Sequence, residues 1–227
     1  MNLSTKKHTF TYSIVALLIV AILSGCSGKS SGFDAGRYTK SCLDAMTKAE
    51  FKDYVELTKS TTEQAQKDYE RRLQNELRSL SVAFRMDKKT KDRYYSIIKD
   101  MYSKCKYEVG EAVKGENDSY TVPVKVYKMK LFENAIDDVN KKVKSYFKKN
   151  SKTTPTTTNV AQQQGKYLAD LLTDRLKKPE YSEPETINVT VQLGTVNAIT
   201  YTIKDSDYQK LFNGMWDMDK LQASSSK

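Results

Sequence analysis

From Arg37 to Leu57 the apolar positions Tyr38, Cys42, Leu43, Met46 and Ala49 return at three- and four-residue intervals, the period of a helix face. The run continues through Phe51–Leu57 after a kink expected near Glu50. Ser60-Thr61-Thr62-Glu63 reads as a capping box, with the Ser60 hydroxyl accepting from the N3 amide and Glu63 reaching back. Behind it Ala65, Tyr69, Leu73, Leu77 and Leu80 form one stripe, opposite Lys67, Arg71, Arg72 and Arg78. A third helix over about Lys89–Lys104 turns Tyr94, Tyr95, Ile98, Met101 and Tyr102 inward.

The period then drops from 3.6 to 2. Tyr107 and Val109 open a strand, and Gly110 predicts a bulge. Glu116-Asn117-Asp118 supplies a turn, after which Tyr120, Val122, Val124 and Val126 alternate with polar positions. Pro123 cannot donate to a ladder, so this strand is expected at a sheet edge, or with that nitrogen turned away from a partner. A second hairpin alternates Ile187, Val189, Val191 and Leu193, turns at Gly194–Asn197, and returns through Ile199, Tyr201 and Ile203. Between the hairpins, Leu131–Asn150 and Val160–Lys178 read as helices. They are joined by a Thr-rich surface loop at 151–159 with Pro155 and no apolar residue. A short helix, about Ser206–Met215, closes the pattern. Segregated helices and antiparallel hairpins define an α+β layer fold. The expectation is N-terminal helices packed on a roughly four-stranded antiparallel sheet built from two hairpins. That arrangement resembles the cystatin-like and nuclear-transport-factor-like folds.

The N-terminus follows a different logic. Lys6, Lys7 and His8 precede an uncharged stretch, Phe10–Leu23, which ends in Leu23-Ser24-Gly25-Cys26. A positive start, an apolar run and small residues form a secretory signal. The competing reading is an uncleaved span over Thr9–Gly28, about the 20 residues a bilayer requires. The strongly apolar part is shorter than that and is interrupted by Thr11, Tyr12 and Ser13. Leu23, Ser24, Gly25 and Cys26 resemble the lipobox of bacterial lipoproteins. The resemblance implies cleavage after Gly25 and a diacylglycerol on Cys26, which would anchor the chain to the extracytoplasmic face of the cell membrane. Two acyl chains suffice for a stable anchor where one is marginal. The expected organisation is a signal at 1–25, a flexible tether at 26–34, one α+β domain at 35–220 and a polar tail at 221–227.

Composition then limits the chemistry. Removing 25 of 227 residues leaves 202; Lys6 and Lys7 go with the signal, so 36 basic residues face 28 acidic ones, a formal +8. The sole histidine, His8, is lost with the signal, which excludes Ser-His-Asp and Cys-His nucleophiles and any histidine-bearing zinc site. No GxGxxG or GxxxxGK[ST] loop occurs, and no cofactor or metal is expected. Cys42 and Cys105 are left as a possible disulfide, permitted outside the cell, or as two buried thiols.

Several short motifs together resemble a family of lipoproteins from Gram-positive anaerobes to which no activity is assigned. They are Phe33-Asp34-Ala35, Tyr38, Cys42-Leu43-Asp44-Ala45, Glu50-Phe51, Tyr54, Ala65 with Tyr69-Glu70, Tyr107-Glu108-Val109 and Asp207-Tyr208-Gln209-Lys210-Leu211-Phe212. The resemblance implies a fold and a location and transfers no catalytic residue.

Two surface chemistries stand out. Lys141, Lys142, Lys144, Lys148, Lys149 and Lys152 lie in one twelve-residue run without an acid, and residues 61–104 add eleven basic against seven acidic residues. Outside a cell the partners for such a run are anionic envelope polymers such as teichoic acids, or lipid headgroups; nucleic acid is not expected. The plainer reading is a solvated helix face. The second chemistry is tyrosine, fourteen of them after the signal. Most belong to core stripes, but Tyr107, Tyr120 and Tyr201 sit on strands and are candidates to line a pocket. The principal expectation is therefore a tethered, non-catalytic binding or structural domain. The alternative is a small enzyme of the nuclear-transport-factor-like type with an inward carboxylate. Glu108 and Glu111 beside Gly110 are its nearest candidates, although alternation points Glu108 away from Tyr107 and Val109.

Overall fold

The computed structural model describes residues 33–194 and 200–220. The signal expected at 1–25 with Leu23–Cys26, the part of the expected tether up to residue 32, residues 195–199 of the expected second hairpin and the tail expected at 221–227 lie outside the described residues.

The fold is α+β. Helices α1 (Ala35–Thr47), α2 (Lys52–Thr58), α3 (Thr62–Ala83) and α4 (Lys88–Ser103) precede strands β1 (Lys106–Val109), β2 (Val113–Lys114) and β3 (Tyr120–Tyr127). A helical hairpin, α5 (Ala135–Lys149) and α6 (Thr157–Lys177), leads to β4 (Glu185–Leu193), β5 (Tyr201–Ile203) and α7 (Asp205–Met215). The sheet is antiparallel in the order β1-β3-β4-β5, with β2 continuing β1 alongside β3. The two expected hairpins thus meet through β3 and β4.

The kink expected near Glu50 is a helix end. Ala49 adopts a left-handed φ of 57°, and both Lys48 and Glu50 amides return to the Asp44 carbonyl. The cap of α3 lies one residue later than the capping box placed it. Thr61, not Ser60, accepts from the Gln64 amide at 3.1 Å, and Glu63 pairs with Lys67 on the helix surface. Both residues carry the hydroxyl a cap requires; the burial of Ala65, Tyr69 and Leu73 selects the register.

Pro123 does not mark an edge. It occupies a central strand between β1–β2 and β4. Val109 pairs with Val124 and Val113 with Thr121, so the β1–β2 side carries one residue more than β3 over this stretch: a bulge. The Pro123 carbonyl accepts from Gly110 inside the bulge at 2.8 Å. In a strand the nitrogen of a residue points to the same side as its carbonyl. The missing N–H therefore faces the bulge, where the ladder is already interrupted. Gly110 is required there, because a Cβ would stand 2.9 Å from the Pro123 ring.

Register assigns the sheet two different faces. Val122, Val124, Val126, Ile187, Val189, Val191 and Ile203 are buried under helices. Glu108, Thr121, Lys125, Thr186, Asn188 and Thr202 point the other way and are exposed, the alternation of a sheet solvated on one side. Helix α1 crosses the buried face, where Tyr38 donates to the Tyr201 carbonyl at 2.6 Å. Helix α7 lies beside it over β3 and β4, at Gly214.

The remaining helices build outward: α4 packs on α3 and α6, and α5 on α6. Helix α5 starts at Ala135, later than the pattern suggested, because Leu131 and Phe132 are buried in a turn whose amides bind Asp217. The Thr-rich loop is shorter than expected. Thr156 and Asn159 form a reciprocal capping box, so Thr157, Thr158 and Asn159 belong to α6.

Candidate functional site: a lysine-faced helical hairpin

Helix α5 forms because Ala135, Val139 and Val143 return at four-residue intervals and bury against α6. Its charges also suit the helix dipole, with Asp137 and Asp138 in the first turn and Lys148 and Lys149 in the last. The mid-helix lysines have no such account. All six lysines of the 141–152 run are exposed. Lys141 approaches Asp138 at 3.7 Å; Lys142, Lys144, Lys148, Lys149 and Lys152 form no ion pair among the described residues. Lys141, Lys144 and Lys148 share one face at helical spacing, about 4.5–6 Å apart along the axis. The result is a row of ammonium groups on a helix whose apolar stripe is already spent on α6.

The hairpin is held to the rest of the domain by specific contacts. The Gln164 amide donates to Asn140 at 3.0 Å, joining α6 to α5. On the opposite side Arg93 of α4 reaches Asp170 at 2.5 Å and Thr173 at 3.1 Å. Tyr94, fully buried, donates to the Gly165 carbonyl at 2.8 Å.

The three strand tyrosines do not form one pocket. Tyr120 and Tyr201 meet edge to face with ring centroids 5.7 Å apart, and Phe33 packs on both, stacked on Tyr201 at 3.5 Å and 5.5 Å from Tyr120. Phe33 and Asp34 thus belong to the domain rather than to the tether, and Asp34 caps α1 by accepting from the Arg37 amide at 2.8 Å. Beside this cluster an open groove of about 590 Å³ runs between the start of α1 and the bulge, lined by Phe33, Arg37, Lys40, Val109, Lys114 and Tyr120 among others. Its cations are already matched. Arg37 binds Asp53 and Glu56 at 3.0 and 3.1 Å, Lys40 binds Asp44, and Lys114 lies 3.7 Å from Asp118.

Tyr107 turns instead to the end of α1, where its hydroxyl donates to Asp44 at 2.6 Å. Burial of Asp44 favours the neutral acid, but hydrogen bonds from Lys40, Lys48 and Tyr107 outweigh it and hold the carboxyl below its ordinary 3.8. Asp207 follows the same pattern: burial opposes ionisation, and the Thr190 amide and Lys210 overcome it. A depressed folded-state pKa contributes stability that is present above the unfolded value and lost as pH falls through the folded one. Urea unfolding is therefore expected to show constant stability above about pH 5 and a decline below about pH 4. Asp44→Asn should make that decline shallower, and stability rising on acidification would contradict the assignment.

The remaining candidates separate. Glu108 and Glu111 are both exposed, so neither supplies the inward carboxylate of the enzyme alternative. Glu108 accepts instead from the Tyr127 hydroxyl on the solvated face at 2.6 Å. Cys42 and Cys105 are not bridged but stand as separate buried thiols. Cys42 lies among Tyr208, Tyr38 and Ser41, and burial pushes its thiol up to about 11. Cys105 points back to the Met101 carbonyl at the end of α4, and burial pushes its thiol up as well. Among the described residues no group of three His, Cys, Asp or Glu is placed to hold a metal ion. No helix among them is long and apolar enough to cross a membrane.

What remains is an α+β domain with one solvated sheet face and a lysine-faced hairpin. Its fold is similar to that of a solved structure from Bacillus subtilis, a "putative lipoprotein (ycdA)", with a TM-score of 0.56 and 18% sequence identity. The match covers 81% of this chain and 56% of that one, so the chain spans just over half the neighbour's length. At that identity the likeness is one of fold. No family model matches the chain, and no curated protein matches it.

Proposed function

We propose that this chain is a bacterial lipoprotein, held to the extracytoplasmic face of a Gram-positive cell membrane through Cys26. In this reading its domain binds anionic envelope material through the lysines of α5 and does no chemistry. The observation that carries the binding reading is the set of exposed lysines on and just after α5, of which Lys141 lies near Asp138 while Lys142, Lys144, Lys148, Lys149 and Lys152 form no ion pair among the described residues. Leu23-Ser24-Gly25-Cys26 and the fold shared with a protein named a putative lipoprotein support the anchor. The cystatin-like or nuclear-transport-factor-like expectation fits the same reading, supported by α1 lying across the buried face of an antiparallel sheet.

The anchor is tested by labelling with a fatty acid. Wild type is expected to carry the label and fractionate with membranes, and Cys26→Ala to do neither; label retained by the variant would remove the anchor from Cys26. The binding surface is tested by titrating the purified protein with long-chain polyphosphate at low salt. Each lysine near an anionic surface contributes roughly a five-fold gain in affinity. Lys144→Gln, Lys148→Gln and Lys149→Gln together should weaken binding on the order of a hundred-fold. An unchanged affinity in that triple variant, or no binding by wild type, would refute the reading.

A further inference from the structure

We propose that the groove between the start of α1 and the bulge binds a small primary alkylammonium ion, a protonated amine on an apolar stem. The site is separate from the α5 lysines and does not rest on the binding reading above.

A proline and two bare glycines make its cradle. Residues that face each other across a closely spaced antiparallel pair exchange both of their hydrogen bonds. Gly110 donates to the Pro123 carbonyl at 2.8 Å, but proline has no N–H to return. The Gly110 carbonyl is therefore left without a donor among the described residues. A Cβ on Gly36 would stand 3.4 Å from this carbonyl oxygen and 3.4 Å from Asp34 Oδ1. Both oxygens thus border the space that a side chain at Gly36 would take. Asp34 uses that oxygen to cap α1, and its second oxygen accepts nothing among the described residues. Glu111, next to Gly110, lines the same groove and is exposed without a partner among the described residues. A primary ammonium carries three N–H donors and no acceptor. The Gly110 carbonyl, Asp34 and Glu111 offer three acceptors and no donor.

The local charge agrees with this pairing. The chain as a whole is basic, with 38 Lys and Arg against 28 Asp and Glu. The groove is not. Its lining cations each meet a carboxylate from outside the lining: Arg37 meets Asp53 and Glu56, Lys40 meets Asp44, and Lys114 meets Asp118. The charges left over in the groove are those of Asp34 and Glu111, and both are negative. Phe33 and Tyr120 add aromatic rings to the lining, whose faces attract a cation and whose bodies cover an apolar stem. The volume of about 590 Å³ is that of a small-molecule site. A metal ion would use none of the aromatic wall, and among the described residues no group of three His, Cys, Asp or Glu is placed to hold one.

The test titrates the purified protein with n-butylamine, n-butanol, tetramethylammonium and calcium, followed by backbone amide shifts in NMR. Butylamine is expected to bind, with shifts concentrated at Gly36, Gly110 and Glu111, and butanol to leave them unmoved. Glu111→Gln and Asp34→Asn should each weaken the amine roughly ten-fold, the loss of one charge-assisted hydrogen bond. Asparagine keeps the cap of α1, so the second variant stays folded. Gly36→Ala places a methyl group in the cradle at ordinary contact distance, and alanine favours the helix. It should abolish amine binding without lowering the urea midpoint. Pro123→Ala returns the missing N–H to the Gly110 carbonyl and should also weaken the amine. The α5 triple variant described above should bind it as wild type does. No amine binding by wild type, or unchanged binding in both Gly36→Ala and Glu111→Gln, would overturn the site. Butanol binding as tightly as butylamine would show an apolar groove without charge selection. Tetramethylammonium binding as tightly would remove the hydrogen-bonding role, and calcium displacing the amine would make this a metal site. In each of these three cases the ammonium assignment fails.

Discussion

Tyr94→Ala is expected to lower the free energy of unfolding by about 3–5 kcal/mol, the range for emptying a buried aromatic site. Tyr94 has no solvent exposure, and its ring fills the junction of α3, α4 and α6 beside Phe84. Its hydroxyl also binds the Gly165 carbonyl. Tyr94→Phe separates the two contributions: it retains the ring and removes one neutral hydrogen bond, worth about 1 kcal/mol. In urea both variants should shift the midpoint at constant m-value. Hydrogen exchange should show α6 amides opening more readily in Tyr94→Ala. A loss below about 1 kcal/mol for Tyr94→Ala would mean that the α4–α6 junction is not closely packed. The same contact holds the 84–87 turn against α6.

The second large effect is expected at Asp217, a carboxylate only 4% exposed that follows the last helix. One of its oxygens accepts from the Leu131 amide at 2.8 Å and the Phe132 amide at 2.9 Å. Those residues lead into α5, and Met129 just before them exchanges backbone hydrogen bonds with Met215 and Asp217. Asp217→Ala leaves the buried Phe132 amide without an acceptor, at about 1–3 kcal/mol, and the Leu131 amide with only the Met129 carbonyl at 3.2 Å in place of a charged one. The expected total is about 2–5 kcal/mol. Asp217→Asn keeps an acceptor oxygen in place and should cost less than half as much. Equal losses for the two substitutions would show that charge, rather than amide satisfaction, is what Asp217 provides there. Thermal or urea unfolding of the three proteins distinguishes these outcomes.

Much of the architecture was legible along the chain because local periods survive into the folded state. Tyr94, Ile98 and Tyr102 face inward on α4 as their spacing implied, and Val122, Val124 and Val126 are buried on β3 as alternation implied. The bulge at Gly110 was legible from a lone glycine in a strand pattern, and it occurs where β1 gives way to β2. Pro123 shows the limit of such reading. Its missing donor was evident, but its place in the sheet depended on which neighbour carried the interruption. Tyr107, Tyr120 and Tyr201 show the same limit for a site. Their strand positions were correct, yet only Tyr120 and Tyr201 meet, in a ring cluster completed by Phe33, and Tyr107 serves Asp44.

Helix periods, strand alternation, turn positions and the lysine run were determined by the sequence alone, because each depends on neighbours within a few residues. The sequence alone also carries Leu23-Ser24-Gly25-Cys26 and its implied anchor. Tertiary structure decided which of the candidate residues meet. It left the two cysteines apart, exposed both glutamates beside the bulge, packed Phe33 onto Tyr120 and Tyr201, and set the 84–87 turn against α6 at Gly165. The physical reason is that these outcomes turn on contacts between residues far apart in the chain, as at Phe33 and Tyr201 or Phe84 and Gly165. Close packing sets their geometry, and no local period encodes it.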